Sequence, residues 1–365
     1  MKRVLCIISG MNSGGAETFL MKIYRQVDRT KYQMDFCINS FDKCFYEDEI
    51  LSVGGKIYRI PAKSASLKQF KKQLFDIVKS NNYNYVMRIT SNALGFMDLK
   101  IAHKAGAEVC IARSSNSSDG GGLKSKIAHR LGRILYSKYV DVKIAPSDLA
   151  AKYTFGKKAY ESGLVNILHN AIDIEKYGYN AEMRQKIRAE FEISDGTTVF
   201  GHIGRLMTQK NHGFLLEVFS EYEKVNAKSV LVLVGGGELE SEIKRKASES
   251  GISDKVIFAG VRSDVPALLS AMDVFVFPSL YEGMPNTVIE AQATGLQCVI
   301  ADTITREADI TGLVHYLPLG NAKEWASYID RLPQIARKTP IQQFKENCYD
   351  IETVADQFVK LVFRE

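Results

Sequence analysis

The chain has 365 residues, 45% of them hydrophobic and 25% charged, which is the balance of a globular protein and excludes a disordered, collagenous or coiled-coil one. Its length predicts two or three domains at about 100–200 residues each, and a chain large enough to bury a core without a disulfide or metal staple. The net charge of +6 is uneven: residues 1–175 hold 27 Lys and Arg against 16 Asp and Glu, and residues 176–365 hold 21 against 26, so the first half suits an anionic partner such as nucleic acid, a membrane surface or a phosphorylated substrate.

Met1–Ile8 reads as a strand rather than a secretory leader, because its apolar part stops at Gly10. Further apolar runs follow at Met34–Ile38, Lys56–Ile60, Tyr85–Ile89, Glu108–Ala112 and Val142–Ala145, with stretches of helical length between them. A second series runs Val199–Ile203, Ser229–Val234, Lys255–Phe258, Val274–Pro278 and Gln297–Ala301, with helices over 211–226, 238–250 and 286–295. Strands alternating with helices predict an α/β fold of two doubly wound parallel sheets. The expected domains are 1–175 and 176–350, and the tail reads as one or two helices with Ile351, Val354, Phe358 and Leu361 at helical spacing. No run of about 18–20 apolar residues predicts a membrane span. Cys6, Cys37, Cys44, Cys110, Cys298 and Cys348 have no metal-like spacing and read as reduced core thiols, and the six histidines form no ligand cluster.

Ligands of open α/β sheets bind beyond the carboxyl ends of the strands, so the loops there carry the functional reading. After the first strand, Gly14-Gly15-Ala16-Glu17 opens a helix. It is either a phosphate-binding loop or a tight strand-to-helix turn; the dinucleotide and Walker spacings are both absent. Leu123–Ser137 follows Gly120-Gly121-Gly122 and reads as a basic amphipathic helix, with Lys124, Lys126, Arg130 and Arg133 beside Leu123, Ile127, Leu131, Ile134 and Leu135. It either meets anionic lipid or a lipid-diphosphate acceptor, or packs on the core with a solvated basic face. Without interleaved aromatics, it does not read as a nucleic-acid surface.

In the second half, Gly204-Arg205 and Lys210-Asn211 follow a strand and supply two cations, which either clamp a diphosphate or are solvated surface charges. Gly235-Gly236-Gly237 marks either a close backbone approach or a flexible turn. The densest segment is Phe277–Ala291. Glu282 lies in its loop, Pro285 marks a helix start, and the N–H groups of Asn286, Thr287 and Val288 are expected to face an anion. Glu290 follows one turn later. Two carboxylates eight residues apart around a helix N-terminus suit the hydroxyls of a sugar nucleotide whose phosphates lie between them.

Taken together, Glu282-x7-Glu290, Gly204-Arg205 with Lys210-Asn211, and Gly14-Gly15-Ala16-Glu17 resemble the retaining GT-B glycosyltransferases of family four. Asn170-Ala171-Ile172-Asp173, Ala271–Ser279, Glu290–Leu296 and Ala301–Glu307 match further segments in order, the last resembling the subgroup that builds bacterial capsule and exopolysaccharide repeat units. The second domain matches nearly end to end, the first mainly at its glycine loop.

The resemblance implies two Rossmann-like domains facing across a cleft, a nucleotide-sugar-binding C-terminal domain, an acceptor-binding N-terminal domain, and a last helix, 351–365, returning to the latter. It implies that Arg205 and Lys210 hold the diphosphate, that Glu290 binds the ribose hydroxyls, and that Glu282 lies near the donor sugar. The amides of Gly15 and of Asn286–Val288 would touch phosphate, with Gly14, Gly204 and Gly236 lining the donor site and the backbone at Val261-Arg262 near the base. Transfer would be retaining and need no metal or other cofactor, from a nucleotide sugar, expected to be a UDP-sugar, to a lipid-linked or oligosaccharide acceptor. The protein would be cytoplasmic, peripheral at the inner face of the cell membrane. Arg113 and Ser115, followed by Asn116, stand where many relatives carry two histidines. Either Arg113 supplies the charge at a sugar or acceptor pocket, or this subgroup works without it. Three rivals remain: a GT-B nucleotide-sugar epimerase, a catalytically impaired scaffold that binds sugar nucleotides, and a nucleic-acid binder.

Overall fold

Strands buried on both faces must be covered on both faces, and the chain does this twice. A computed structural model describes residues 1–12, 14–115 and 122–365. It divides into two compact units, residues 1–171 with 348–365, and residues 172–347. The expected boundaries at 175 and 350 fall a few residues later than these. Leu168 and Ala171 still belong to the core of the first unit, whereas Tyr177 packs on that of the second.

The first unit contains β1 (Lys2–Ile7), β2 (Tyr32–Ile38), β3 (Ile57–Arg59), β4 (Tyr85–Thr90), β5 (Val109–Ser114), β6 (Val142–Ala145) and β7 (Asn166–Ile167). They form one parallel sheet in the order β3-β2-β1-β4-β5-β6-β7. Alternation divides β1 between two cores, with Val4 and Cys6 on one face and Leu5 and Ile7 on the other. Helix α1 (Gly15–Gln26) covers the first face together with the C-terminal helix Ile351–Phe363. Phe363 of that helix lies against the rings of Tyr32 and Tyr85, with centroids at 4.8 and 5.1 Å. Helix α2 (Leu123–Tyr136) lies between β5 and β6 in sequence.

The second unit contains β8 (Thr198–Ile203), β9 (Ser229–Val234), β10 (Val256–Gly260), β11 (Val274–Phe277), β12 (Cys298–Ala301) and β13 (Val314–Leu317). All pair in parallel, in the order β10-β9-β8-β11-β12-β13. Helix α3 (His212–Glu223) follows β8 and α4 (Asn286–Ala293) follows β11. In both units the order reverses beside the first strand, which is where such sheets open a ligand crevice.

Two strands escaped the sequence reading. β7 is only two residues long, and β13 is a short alternating Val-His-Tyr-Leu run whose polar residues hide its period. All six cysteines are free thiols, five of them buried, and burial pushes the thiols of Cys6, Cys37, Cys110 and Cys298 upward. Among the described residues no helix is long and apolar enough to cross a membrane, and no group of three His, Cys, Asp or Glu side chains converges on a point suited to a metal.

Candidate active site

In the second unit the loops after β8 and β9 are held backbone to backbone. Gly204 N–H donates to Val234 O at 2.9 Å, Leu206 N–H to Gly236 O at 3.1 Å, and Gly235 N–H to Gly260 O at 2.8 Å. Gly235 has φ +134°, and a Cβ there would lie 2.1 Å from Gly204 O. Close approach is thus what these glycines are for, and the group approached is the Gly204–Leu206 backbone. The arrangement fixes the base of Arg205, whose side chain is exposed and has no carboxylate partner among the described residues.

Lys210 and Glu282, assigned separate tasks from the sequence, meet each other. Lys210 Nζ lies 2.7 Å from Glu282 Oε1, with both side chains mostly buried, and 4.6 Å above the Phe277 ring. Their loops are tied by Leu280 N–H to Gln209 O at 2.9 Å and by Gln209 Nε2 to Tyr281 O at 2.8 Å. The pair is preformed, so any other partner of Lys210 has to displace Glu282.

Helix α4 begins at Asn286, so Pro285 is its N-cap rather than its first residue, and no side chain caps it. The Val288 N–H donates to Pro285 O at 3.0 Å. It is therefore not available to an anion, because the first turn tightens on itself; Thr287 keeps its N–H. Glu290, half-buried on this helix, accepts a hydrogen bond from the Tyr177 hydroxyl, and burial and the Glu290 charge raise that hydroxyl's pKa. Tyr177 went unnoticed in the sequence because it lies 113 positions away in another segment, at the end of Ile174–Tyr177.

Beneath this site are two buried histidines. His202 Nδ1 donates to Val276 O at 2.9 Å, which leaves Nε2 as a bare acceptor. The His212 ring stands edge-on to it at 4.8 Å, and among the described residues neither of its nitrogens has a hydrogen-bond partner. Burial, then the Lys210 charge, pulls His212 from 6.5 to about 4, and burial keeps His202 well below its usual value. Both stay neutral when folded, whereas the unfolded chain protonates them near pH 6.5. The unfolded chain therefore binds more protons between about pH 6.5 and 4, and stability falls as pH falls through that window. Melting temperatures measured across it should decline, and His212→Leu should flatten the decline; an unaltered slope would contradict this assignment.

The Arg262 side chain is not free to reach a base. It is held by Glu190 Oε1 at 2.5 Å and Asp264 Oδ2 at 2.7 Å, so only the backbone beside the exposed Val261 is left for that task. A cavity of about 380 Å³ opens at the other end of this sheet, lined by Arg184, Arg188, Asp273 and Arg337. These guanidiniums are spent on the carbonyls of Leu269–Met272 and on Asp273, which makes them a helix C-terminal clamp.

In the first unit, Gly14 caps α1 and Gly15 is its first residue, with no side-chain cap. Glu17 folds back over Gly14, and burial raises its pKa. Arg113 is buried at the end of β5. Ser115 follows, its N–H donating to Thr90 O at 2.9 Å, and Asn116 lies outside the described residues.

Helix α2 turns its apolar stripe outward. Ile127, Leu131, Ile134 and Leu135 are 49–67% exposed. The inward face is His129, which accepts from Ala93 N–H at 3.1 Å through Nδ1 and donates to Tyr153 O at 2.9 Å, and Gly132, where a Cβ would meet the Ala93–Leu94 backbone at about 2.5 Å. Lys126 and Arg130 are exposed beside the stripe, and Arg133 is half-buried against Gly156. The side chain of Lys124 lies outside the described residues.

Residues 197–334 match the family model described as Glycosyl transferases group 1. The chain is 35% identical over 342 residues to the putative glycosyltransferase EpsF of Bacillus subtilis (strain 168), covering 92% of this chain and 89% of that protein. It is 24% identical over 324 residues, 83% of this chain and 81% of the other, to the N-acetylgalactosamine-N,N'-diacetylbacillosaminyl-diphospho-undecaprenol 4-alpha-N-acetylgalactosaminyltransferase of Campylobacter jejuni. Anabaena Alr3699/HepE, solved in complex with UDP and glucose, aligns with a TM-score of 0.71 at 17% identity over 98% of this chain and 95% of that one. That likeness shows the GT-B fold.

Proposed function

This chain belongs to the group 1 glycosyltransferases, and we propose that it moves a sugar from a UDP-sugar to a lipid-linked saccharide during bacterial surface-polysaccharide synthesis, with retention at the anomeric carbon. The observation that carries this reading is the convergence, at the carboxyl end of the second sheet, of Arg205, the Lys210–Glu282 pair and the uncapped start of α4. UDP as donor is supported by the UDP held in the HepE structure, and a lipid-diphosphate acceptor by the acceptor named for the Campylobacter relative.

In the proposed step, the bond between the anomeric carbon and the β-phosphate oxygen breaks, and one to the acceptor hydroxyl oxygen forms on the same face. The acceptor proton passes to the departing phosphate. Arg205 and Lys210 offset the charge growing on UDP, with the α4 N-terminus as a third positive element and no metal required. Glu282, released as phosphate takes Lys210, accepts from a hydroxyl of the donor sugar. Glu290, oriented by Tyr177, accepts from the ribose. Transfer from UDP-[¹⁴C]sugar to a lipid-diphosphate saccharide, with the product's anomeric configuration read by NMR, tests the proposal. An inverted product would refute retention, and UDP release without acceptor glycosylation would refute transfer.

The same reading places the enzyme at the cytoplasmic membrane surface. The outward stripe of α2 is apolar, and Lys126 and Arg130 flank it, which matches an interface of anionic headgroups over acyl chains. Lys126→Glu with Arg130→Glu should abolish flotation with vesicles containing phosphatidylglycerol, as should Ile134→Ser with Leu135→Ser. Equal flotation of wild type and both variants would rule out this surface as the membrane contact.

A further inference from the structure

Arg113 is a buried charge with little compensation among the described residues of the first unit. Its side chain is 1% exposed, yet no carboxylate pairs with it among the described residues. Its guanidinium donates to Asn170 Oδ1 at 2.8 Å and, at 3.4 Å, to Ser114 O; among the described residues Nε has no partner. Phe19 lies flat beneath it, 3.6 Å from ring centroid to guanidinium carbon. The acid in the first turn of α1, Glu17, folds over Gly14. Burial lowers Arg113 to about 9, so at neutral pH it remains a cation.

A buried, unpaired ion costs several kcal/mol unless something compensates it. Structural arginines of this chain show how compensation is done: Arg188 has Asp273 and three carbonyls. Among the described residues Arg113 has one amide oxygen and one long contact. Phe19 belongs to the second turn of α1, the helix whose start at Gly14-Gly15 has no side-chain cap, so the guanidinium and that helix start serve the same end of the sheet.

We propose that Arg113 is the cation of a phosphate-binding site in the first unit. The half-buried Asn170 amide stands where a phosphate oxygen would take over Nη2, Nε supplies the second donor of the fork, and Phe19 keeps the guanidinium plane fixed. The phosphate belongs to a substrate, either the acceptor's diphosphate or the donor's, an identification that rests on the glycosyltransferase reading; the phosphate site itself does not.

The full chain carrying Arg205→Ala and Lys210→Ala, which removes the cations of the second unit, is titrated with inorganic pyrophosphate by calorimetry, with and without Arg113→Met. The expected result is at least a tenfold weaker affinity with Arg113→Met, together with a higher Tm of the ligand-free protein, because an unpaired charge gives way to an apolar chain of similar length. An Arg113 that served only the fold would lower Tm on substitution and leave pyrophosphate affinity unchanged, and that pair of results overturns the proposal. Arg113→Lys keeps the charge and loses the fork, so it should bind with intermediate affinity. If the methionine variant does not fold, the lysine variant takes its place, and unchanged affinity in it likewise overturns the proposal. In otherwise wild-type enzyme, Arg113→Met raising KM for a lipid-diphosphate acceptor alone assigns the acceptor's phosphate, and raising KM for the UDP-sugar alone assigns the donor's. Wild-type protein that binds pyrophosphate but transfers no sugar would fail the glycosyltransferase reading and leave this site standing.

Discussion

Replacing Lys210 with alanine should lower kcat/KM by about 10²–10³-fold, the range found when one preorganised group facing developing charge is lost. The substitution leaves Glu282 without its partner at 2.7 Å. The donor phosphates then meet a carboxylate instead of an ammonium, so both binding and departure of UDP suffer. Glu282→Gln separates the two halves of this pair. It frees Lys210, so UDP alone should bind tighter than to wild type. Turnover of the intact UDP-sugar should fall, because a donor-sugar hydroxyl has lost its charged acceptor. Calorimetry and initial rates on the same three proteins decide the matter. Glu282→Gln weakening UDP as much as Lys210→Ala would show that the pair works as a fixed unit and that Glu282 does not hand Lys210 over.

Gly235→Ala should be strongly damaging to the second unit. The residue sits at φ +134°, where an L side chain is strained by about 1–3 kcal/mol, and its Cβ would be 2.1 Å from Gly204 O, a backbone atom that cannot swing aside. The Gly204–Leu206 loop must move, carrying Arg205 with it. Both Tm and nucleotide affinity should therefore drop, Tm by several degrees at about 2–4 °C per kcal/mol. Gly236→Ala is the matched control, since its Cβ would meet only Val261 Cγ2, at 3.3 Å, a side-chain atom on an exposed residue. Equal melting temperatures for the two variants would contradict the packing explanation.

The sheets were legible because buried parallel strands leave dense apolar runs, and β8, β9, β11 and β12 fall on the expected segments. The loop from Phe277 to Glu290 was legible because Gly, Pro and two acids crowd a strand-to-helix junction. Spacing does not say which partner a side chain chooses. It put Lys210 and Glu282 in one neighbourhood without pairing them, and gave the Val288 N–H to an anion although Pro285 O takes it. Periodicity likewise shows that α2 is two-faced without showing which face is buried. Gly132 and His129 decide that, by close backbone contact and by hydrogen bonds to Ala93 and Tyr153. Tyr177 was invisible for the same reason: its contact with Glu290 exists only once the fold brings Ile174–Tyr177 against α4.

The UDP-sugar site built on Arg205, Lys210 and Glu290 is central to the proposed activity. Calorimetric titration of the full chain with UDP, GDP and ADP, without added metal, tests it most directly, with Arg205→Ala and Glu290→Ala alongside. The predicted result is selective UDP binding that both substitutions abolish. Absence of binding by all three nucleotides, or UDP binding indifferent to both substitutions, would contradict it.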